Sequence, residues 1–284
     1  MKTRLHYFLL LSAIICSCNS TEYVTDGYIG NKNHSRYEAG FSGPVKEAKV
    51  TTERIERGTT ETDIYCFNEQ GDYISLERAI GKVQVNVTYD EMGNKIKETY
   101  QRLPAGTLIE TNKYKYNEFG QVIQRNRVNT LYGKIENIDN YSYQDTLLIK
   151  EFSRENSYVS YKYNEKGLVI ERHVFVDRPL QTVFYSYDQD GNLLSTFDDL
   201  NNKYKKYHYK NGQIEYVTVE DTNNNVIDRI NYSYLLKDGI KTITEAGFKE
   251  KTITTYDSYG NIIRKEEFEN GTLTYRTTTE ITYY

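Results

Sequence analysis

The chain of 284 residues sets 36 Lys and Arg against 40 Asp and Glu, a formal charge of −4, and carries 29 tyrosines, no tryptophan and three prolines. An acidic balance without a basic stripe argues against nucleic acid or an anionic membrane surface as partner. Three cysteines are too few for a disulfide framework.

Residues 1–17 read as a targeting segment. Lys2 and Arg4 precede an apolar run, Phe8 to Ile15, that is too short for a permanent membrane helix. Ile15-Cys16-Ser17-Cys18 has the form of a lipobox, with a branched aliphatic at −3, a small residue at −1 and cysteine at +1. Cys18 is therefore the expected lipidation site, because Ile15 would occupy the small position if Cys16 were the acceptor. Several acyl chains on one cysteine give durable anchoring. The expected location is the bacterial cell envelope, lipid-anchored to the outer membrane on its periplasmic or surface face, with the bilayer as one partner. Removing residues 1–17 takes away Lys2 and Arg4 and no acid, leaving 34 basic and 40 acidic side chains. Residues 18–42 are polar and aperiodic and read as a flexible tether. Cys66 is then the one remaining cysteine, expected as a free thiol on a strand.

Residues 43–284 form the repeat domain. Val45 to Arg57 is the expected first strand, after Pro44. From Phe67 onward one unit recurs: FNEQGDYI at 67, YDEMGNKI at 89, YNEFGQVI at 116, YNEKGLVI at 163, YDQDGNLL at 187 and YDSYGNII at 256. Decayed versions start at Tyr143, Tyr209 and Tyr234, so the nine anchors lie 20 to 27 residues apart. A period in the twenties marks a repeat architecture. Asp or Asn after the aromatic folds back onto the amide two residues on and opens a turn. Gly71, Gly93, Gly120, Gly167, Gly191 and Gly260 supply the positive φ of a type I turn followed by a G1 bulge, and an aliphatic residue starts the returning strand. Tyrosine pairs alternate with polar residues ahead of each turn, the period-two pattern of half-buried strands. The fold class is all-β: a repetitive antiparallel hairpin meander of on the order of 18–20 strands, coiled as an open sheet or barrel-like, since open sheets rarely pass ~10 strands. Pro104 and Pro179 are expected in connections between hairpins.

Tyr-Asp-x-x-Gly, a small polar residue and an aliphatic pair together resemble the YD repeat of the Rhs family, over roughly residues 60–284. The shorter Tyr209-Lys-Asn-Gly-Gln-Ile and Phe268-Glu-Asn-Gly-Thr-Leu are similar to MORN-like antitoxin repeats. Within the Rhs type the chain looks like the short lipid-anchored envelope lipoproteins, whose opening strand reads like Gly43-Pro44-Val45-Lys46. The resemblance implies a surface- or carbohydrate-interacting protein. The toxin-enclosing shell of large Rhs proteins does not carry over, because the chain is too short for it.

Little in the sequence supports catalysis. His6, His34, His173 and His208 are scattered, and no nucleophile elbow, zinc-protease helix or phosphate loop occurs. No catalytic residue, cofactor or resident metal is expected. Asp221 to Asp228 places oxygen ligands at alternating positions, but Val226 stands where a calcium loop needs glycine and Tyr232 where it needs an acid. Outward-facing apolar bands are missing from the strands, which excludes a membrane-spanning barrel. Three readings follow. The first is a non-enzymatic anchored protein offering Tyr114, Tyr116, Tyr161, Tyr163, Tyr185 and Tyr187 for stacking on a glycan or other surface ligand. The others are an immunity-type protein binding a protein toxin, and a hydrolase with dispersed carboxylates.

Overall fold

The computed structural model describes residues 40–79, 82–104, 106–130, 135–154 and 157–284. The signal segment, Cys18 and all but the last three residues of the tether lie outside them.

The described chain is an antiparallel all-β barrel of 20 strands, with no α-helix among the described residues. In chain order the strands are β1 (Val45–Arg54), β2 (Thr59–Phe67), β3 (Tyr73–Arg78), β4 (Val83–Tyr89), β5 (Lys95–Arg102), β6 (Thr107–Tyr116) and β7 (Val122–Asn129). They continue as β8 (Ile135–Gln144), β9 (Leu147–Arg154), β10 (Ser157–Tyr163), β11 (Val169–Val176), β12 (Arg178–Tyr187), β13 (Leu193–Asp198) and β14 (Lys203–Lys210). The last are β15 (Gln213–Asp221), β16 (Val226–Lys237), β17 (Ile240–Ala246), β18 (Glu250–Tyr256), β19 (Ile262–Glu269) and β20 (Thr272–Tyr283). Each strand pairs with its neighbours in sequence. β20 then returns to β1, with Ala48 opposite Ile281 and Arg54 opposite Tyr275, so the sheet has no free edge. Closure removes the edge that an open meander would offer to aggregation.

The barrel therefore has two rims. Every even strand joins the next odd strand at one rim, and the glycine units turn there. The expected turn is present: Gly71 donates to the Asn68 carbonyl at 2.9 Å and Asn68 to that of Asp72 at 3.0 Å, with Gly71 at φ 89°. Gly93, Gly120, Gly167, Gly191 and Gly260 repeat this with φ between 76° and 89°. The acid or amide caps it from its side chain; Asp188 accepts from the amides of Asp190 and Asn192 at 2.9 and 2.8 Å. A register shift after each such turn is the bulge.

Three expectations change in detail. β1 stops at Arg54, and Ile55–Arg57 is a 3-10 turn. Pro179 lies inside β12, not in a connection; Asp177 alone makes that turn at φ 56°, and the proline faces Phe175 where the register slips. A bulge needs no ladder donor from that residue, so proline is tolerated. Asp221–Asn225, at the opposite rim, is the same turn with Asn224 in place of glycine at φ 63°. The Asp221 carboxylate accepts from the Asn223 and Asn225 amides and from Asn225 Nδ2, all at 2.8–2.9 Å, which accounts for its acidic-loop spacing.

One face of the sheet holds nearly all the buried side chains, among them Val45, Ala48, Phe67, Leu76, Val85, Val122, Tyr141, Leu148 and Ile243. This is the inner wall. The outer wall carries ion pairs, including Lys49–Glu280 at 3.3 Å, Lys162–Glu171 at 2.8 Å and Arg264–Glu266 at 2.7 Å.

Candidate functional site on the inner wall

The repeat tyrosines face inward, and one bond recurs around the wall. In seven units the anchor phenol donates to a carbonyl at the start of the adjacent returning strand. Tyr89 bonds Tyr73 O, Tyr116 bonds Lys95 O, Tyr143 bonds Val122 O and Tyr163 bonds Leu148 O, at 2.6–2.9 Å. Tyr187 bonds Val169 O, Tyr209 bonds Leu193 O and Tyr234 bonds Ile214 O, at 2.8–3.0 Å. Each bulge releases a carbonyl from the ladder's regular spacing, and the phenol satisfies it. At the seam Tyr284 donates to Phe67 O at 2.7 Å, tying the last residue to the first repeat.

Several of the tyrosines expected to stack on a ligand pack against the wall itself. Tyr161 is 8% exposed, and Tyr114, Tyr116 and Tyr163 lie against the cluster of Val122, Tyr141, Leu148 and Tyr161. Their ring surface is spent on one another and on the sheet. Tyr185 and Tyr187 are half-buried on the same face. The aromatic stacks that reach solvent are on the outer wall and use different residues: Tyr158 on Phe175 at 4.9 Å, and Phe197 on Tyr204 at 4.5 Å. Neighbouring rings and Lys150, 3.8 Å over Tyr158, occupy those ring faces too.

Below the tyrosines runs a charged belt that the residue pattern did not announce. Glu98, on β5, accepts from Tyr114 at 2.6 Å, from Lys95 at 3.0 Å and from Asn112 at 3.2 Å. Burial alone would raise its carboxyl, but Lys95 and those hydrogen bonds outweigh it and hold the pKa below the usual 4.5. On β8 the Asp139 side chain is 1% exposed and takes Arg125 at 2.7 Å, Arg127 at 3.2 Å and Ser153 at 2.9 Å. Glu151 and Arg172 extend the belt on β9 and β11. Burial pushes the Glu151 carboxyl up and Asp139 adds to that, while Arg125, Arg172 and Arg127 oppose. Arg172 Nε is buried without a hydrogen-bond partner. Three guanidiniums thus meet two carboxylates, an excess of one positive charge. A signal for the belt exists only in pairs, since cross-strand register decides that Arg125 faces Asp139.

The other singled-out residues sit apart. His173 bonds Glu171 and, at 3.1 Å, Thr182 on the outer wall; His208 stacks on Tyr216 at 4.2 Å. Cys66 is a free cysteine, and no cluster of three metal-ligating side chains occurs among the described residues.

No family model matches this sequence, and no curated protein does. Among solved structures, the chain is similar to a porin-like protein from Bacteroides uniformis ATCC 8492, with 10% identity, TM-score 0.39, and coverage of 85% of this chain and 99% of that one. A porin-like protein from Bacteroides vulgatus ATCC 8482 gives 12% identity and TM-score 0.27 over 84% of this chain and 99% of that one. TcdB2-TccC3 without its hypervariable C-terminal region gives 11% identity and TM-score 0.33 over 74% of this chain, which spans only 15% of that one. These are distant likenesses of strand arrangement.

Proposed function

We propose that the chain is a non-enzymatic, lipid-anchored protein of the bacterial cell envelope whose barrel binds a carbohydrate or other polar surface ligand. The inner-wall belt is the binding surface, and its charge favours a ligand bearing carboxylates. The observation that supports this reading is Arg172, whose buried Nε lacks a partner beside the Arg125–Asp139–Arg127 cluster. A guanidinium pairs with carboxylate through parallel, charge-assisted hydrogen bonds. Anchoring through Cys18 rests on the lipobox-like Ile15-Cys16-Ser17-Cys18.

Binding to an array of uronic-acid and neutral oligosaccharides tests the reading. Uronic-acid glycans are expected to bind the wild type, and Arg172→Ala to weaken them about tenfold or more, the ~1.4 kcal/mol of one charged hydrogen bond. Equal binding by wild type and Arg172→Ala, or no retention of any acidic glycan, would reject the belt as the site.

A further inference from the structure

Both rims expose apolar side chains, and at the glycine-turn rim they gather on one arc. Met92 and Phe119, at the tips of the β4–β5 and β6–β7 turns, are 63% and 75% exposed. Leu235 and Leu236, at the end of β16, are 60% and 76% exposed, and Tyr259, in the β18–β19 turn, is 49% exposed. These turns flank the β20–β1 seam on both sides. The tips across the rim are polar: Asp145 and Thr146 after β8, Glu165 and Lys166 after β10, Gln189 and Asp190 after β12. The most exposed apolar tips of this rim therefore lie on the arc around the seam, with the polar Glu69 and Gln70 of the β2–β3 turn among them, and the facing tips are polar.

The chain enters the barrel within this apolar arc. Ser42 exchanges two hydrogen bonds with the Asn261 side chain, and Phe41 packs its ring on Tyr65 and Phe67 at 5.4 and 5.7 Å. The apolar tips are accompanied by Glu91, Glu118 and Asp238 and by one cation, Lys237. Acids in these positions disfavour anionic headgroups and suit a neutral lipid surface.

We infer that this arc seats on the bilayer: Met92, Phe119, Leu235, Leu236 and Tyr259 dip into the interface beside the entry of the tether, leaving the opposite rim directed away from the membrane. The inference rests on the anchored reading above, which supplies the bilayer, and on the entry of the chain at this rim through Phe41 and Ser42. Amphipathic surfaces with apolar tips bind at the headgroup boundary in this way. Seating fixes which barrel mouth faces outward.

The absence of tryptophan makes the test clean. Phe119→Trp, Leu236→Trp and Phe248→Trp, each in the full lipidated chain, are mixed with phosphatidylcholine vesicles, floated, and examined for emission shift and quenching by brominated phosphatidylcholine. Phe248, 86% exposed in the β17–β18 connection at the other rim, is the control. A blue shift with loss of emission at 119 and 236, and neither at 248, is expected. Floated protein with no quenching at 119 and 236 would overturn the seating and leave the anchor standing, as would a protein partner covering the arc. Equal quenching at 248 would overturn it as well. Failure of the wild type to float overturns the anchor and the seating together.

Discussion

Gly191 and Tyr163 show how single residues act. Gly191 is held at φ 89°, where a branched side chain is strained, so Gly191→Val is expected to lower stability by about 1 kcal/mol or more and to depress the melting temperature. Tyr163→Phe removes the donor to Leu148 O and should cost roughly 1 kcal/mol in denaturant unfolding; an unchanged midpoint would show that the carbonyl finds another donor. Titration gives both limbs. Glu98 has a folded pKa below 4.5, so its contribution is present above that value and is lost as pH falls through the folded pKa. Glu98→Gln should flatten the acid limb of a stability–pH curve. At high pH, burial first and neighbouring acids second push Tyr100 up to about 12, and burial does the same for Tyr141, against Arg125. Stability from such phenols is intact below pH 10 and lost as pH rises towards about 12, a window that phenolate absorbance alongside circular dichroism will locate. The glycines were readable in isolation because positive φ is a local demand. The phenol bonds were not, because each depends on a carbonyl some 15 to 21 residues away in a neighbouring strand.

For the hairpin, local chemistry decided the turn and register decided the faces. Asn-Gly at 211–212 and Asp-Gly at 238–239 have positive φ at both residues, the two-residue hairpin form, and so replace the longer glycine unit without breaking the meander. Pro179 ended up in a strand since a slip in register, invisible in a single segment, excused its missing amide. The charged belt hid for the same reason: Arg125, Asp139 and Glu151 look like scattered surface charge until β7, β8 and β9 are laid side by side. Asp139→Asn should leave Arg125 and Arg127 without their shared carboxylate and destabilise the wall by about 2–3 kcal/mol, below the full penalty for a buried pair because both arginines retain water. The seam is a further element-scale hinge point. A Cβ on Gly43 would lie 2.6 Å from Tyr259 Cδ1, at φ 78°, so Gly43→Ala should loosen the β20–β1 junction before the rest of the sheet, read as an early thermal transition.

On the scale of the molecule, closure is what separates a barrel from an open superhelical sheet, two outcomes that the repeat alone left open. Repeat spacing counts strands but cannot tell whether β1 meets β20, because the pairing joins residues more than 220 apart, such as Arg54 and Tyr275. On the proposed anchoring, membrane association falls to Cys18 and, at the rim, to the apolar arc. Cys18→Ala is accordingly expected to lose palmitate-analogue labelling and to leave the membrane fraction. Continued labelling would move the attachment elsewhere. Amide hydrogen exchange, resolved peptide by peptide, tests closure most directly. A closed sheet predicts that Val45–Arg54 and Thr272–Tyr283 exchange as slowly as Arg178–Tyr187 in the middle of the chain; fast exchange at alternate amides of either terminal strand would mean an open edge and would contradict the barrel.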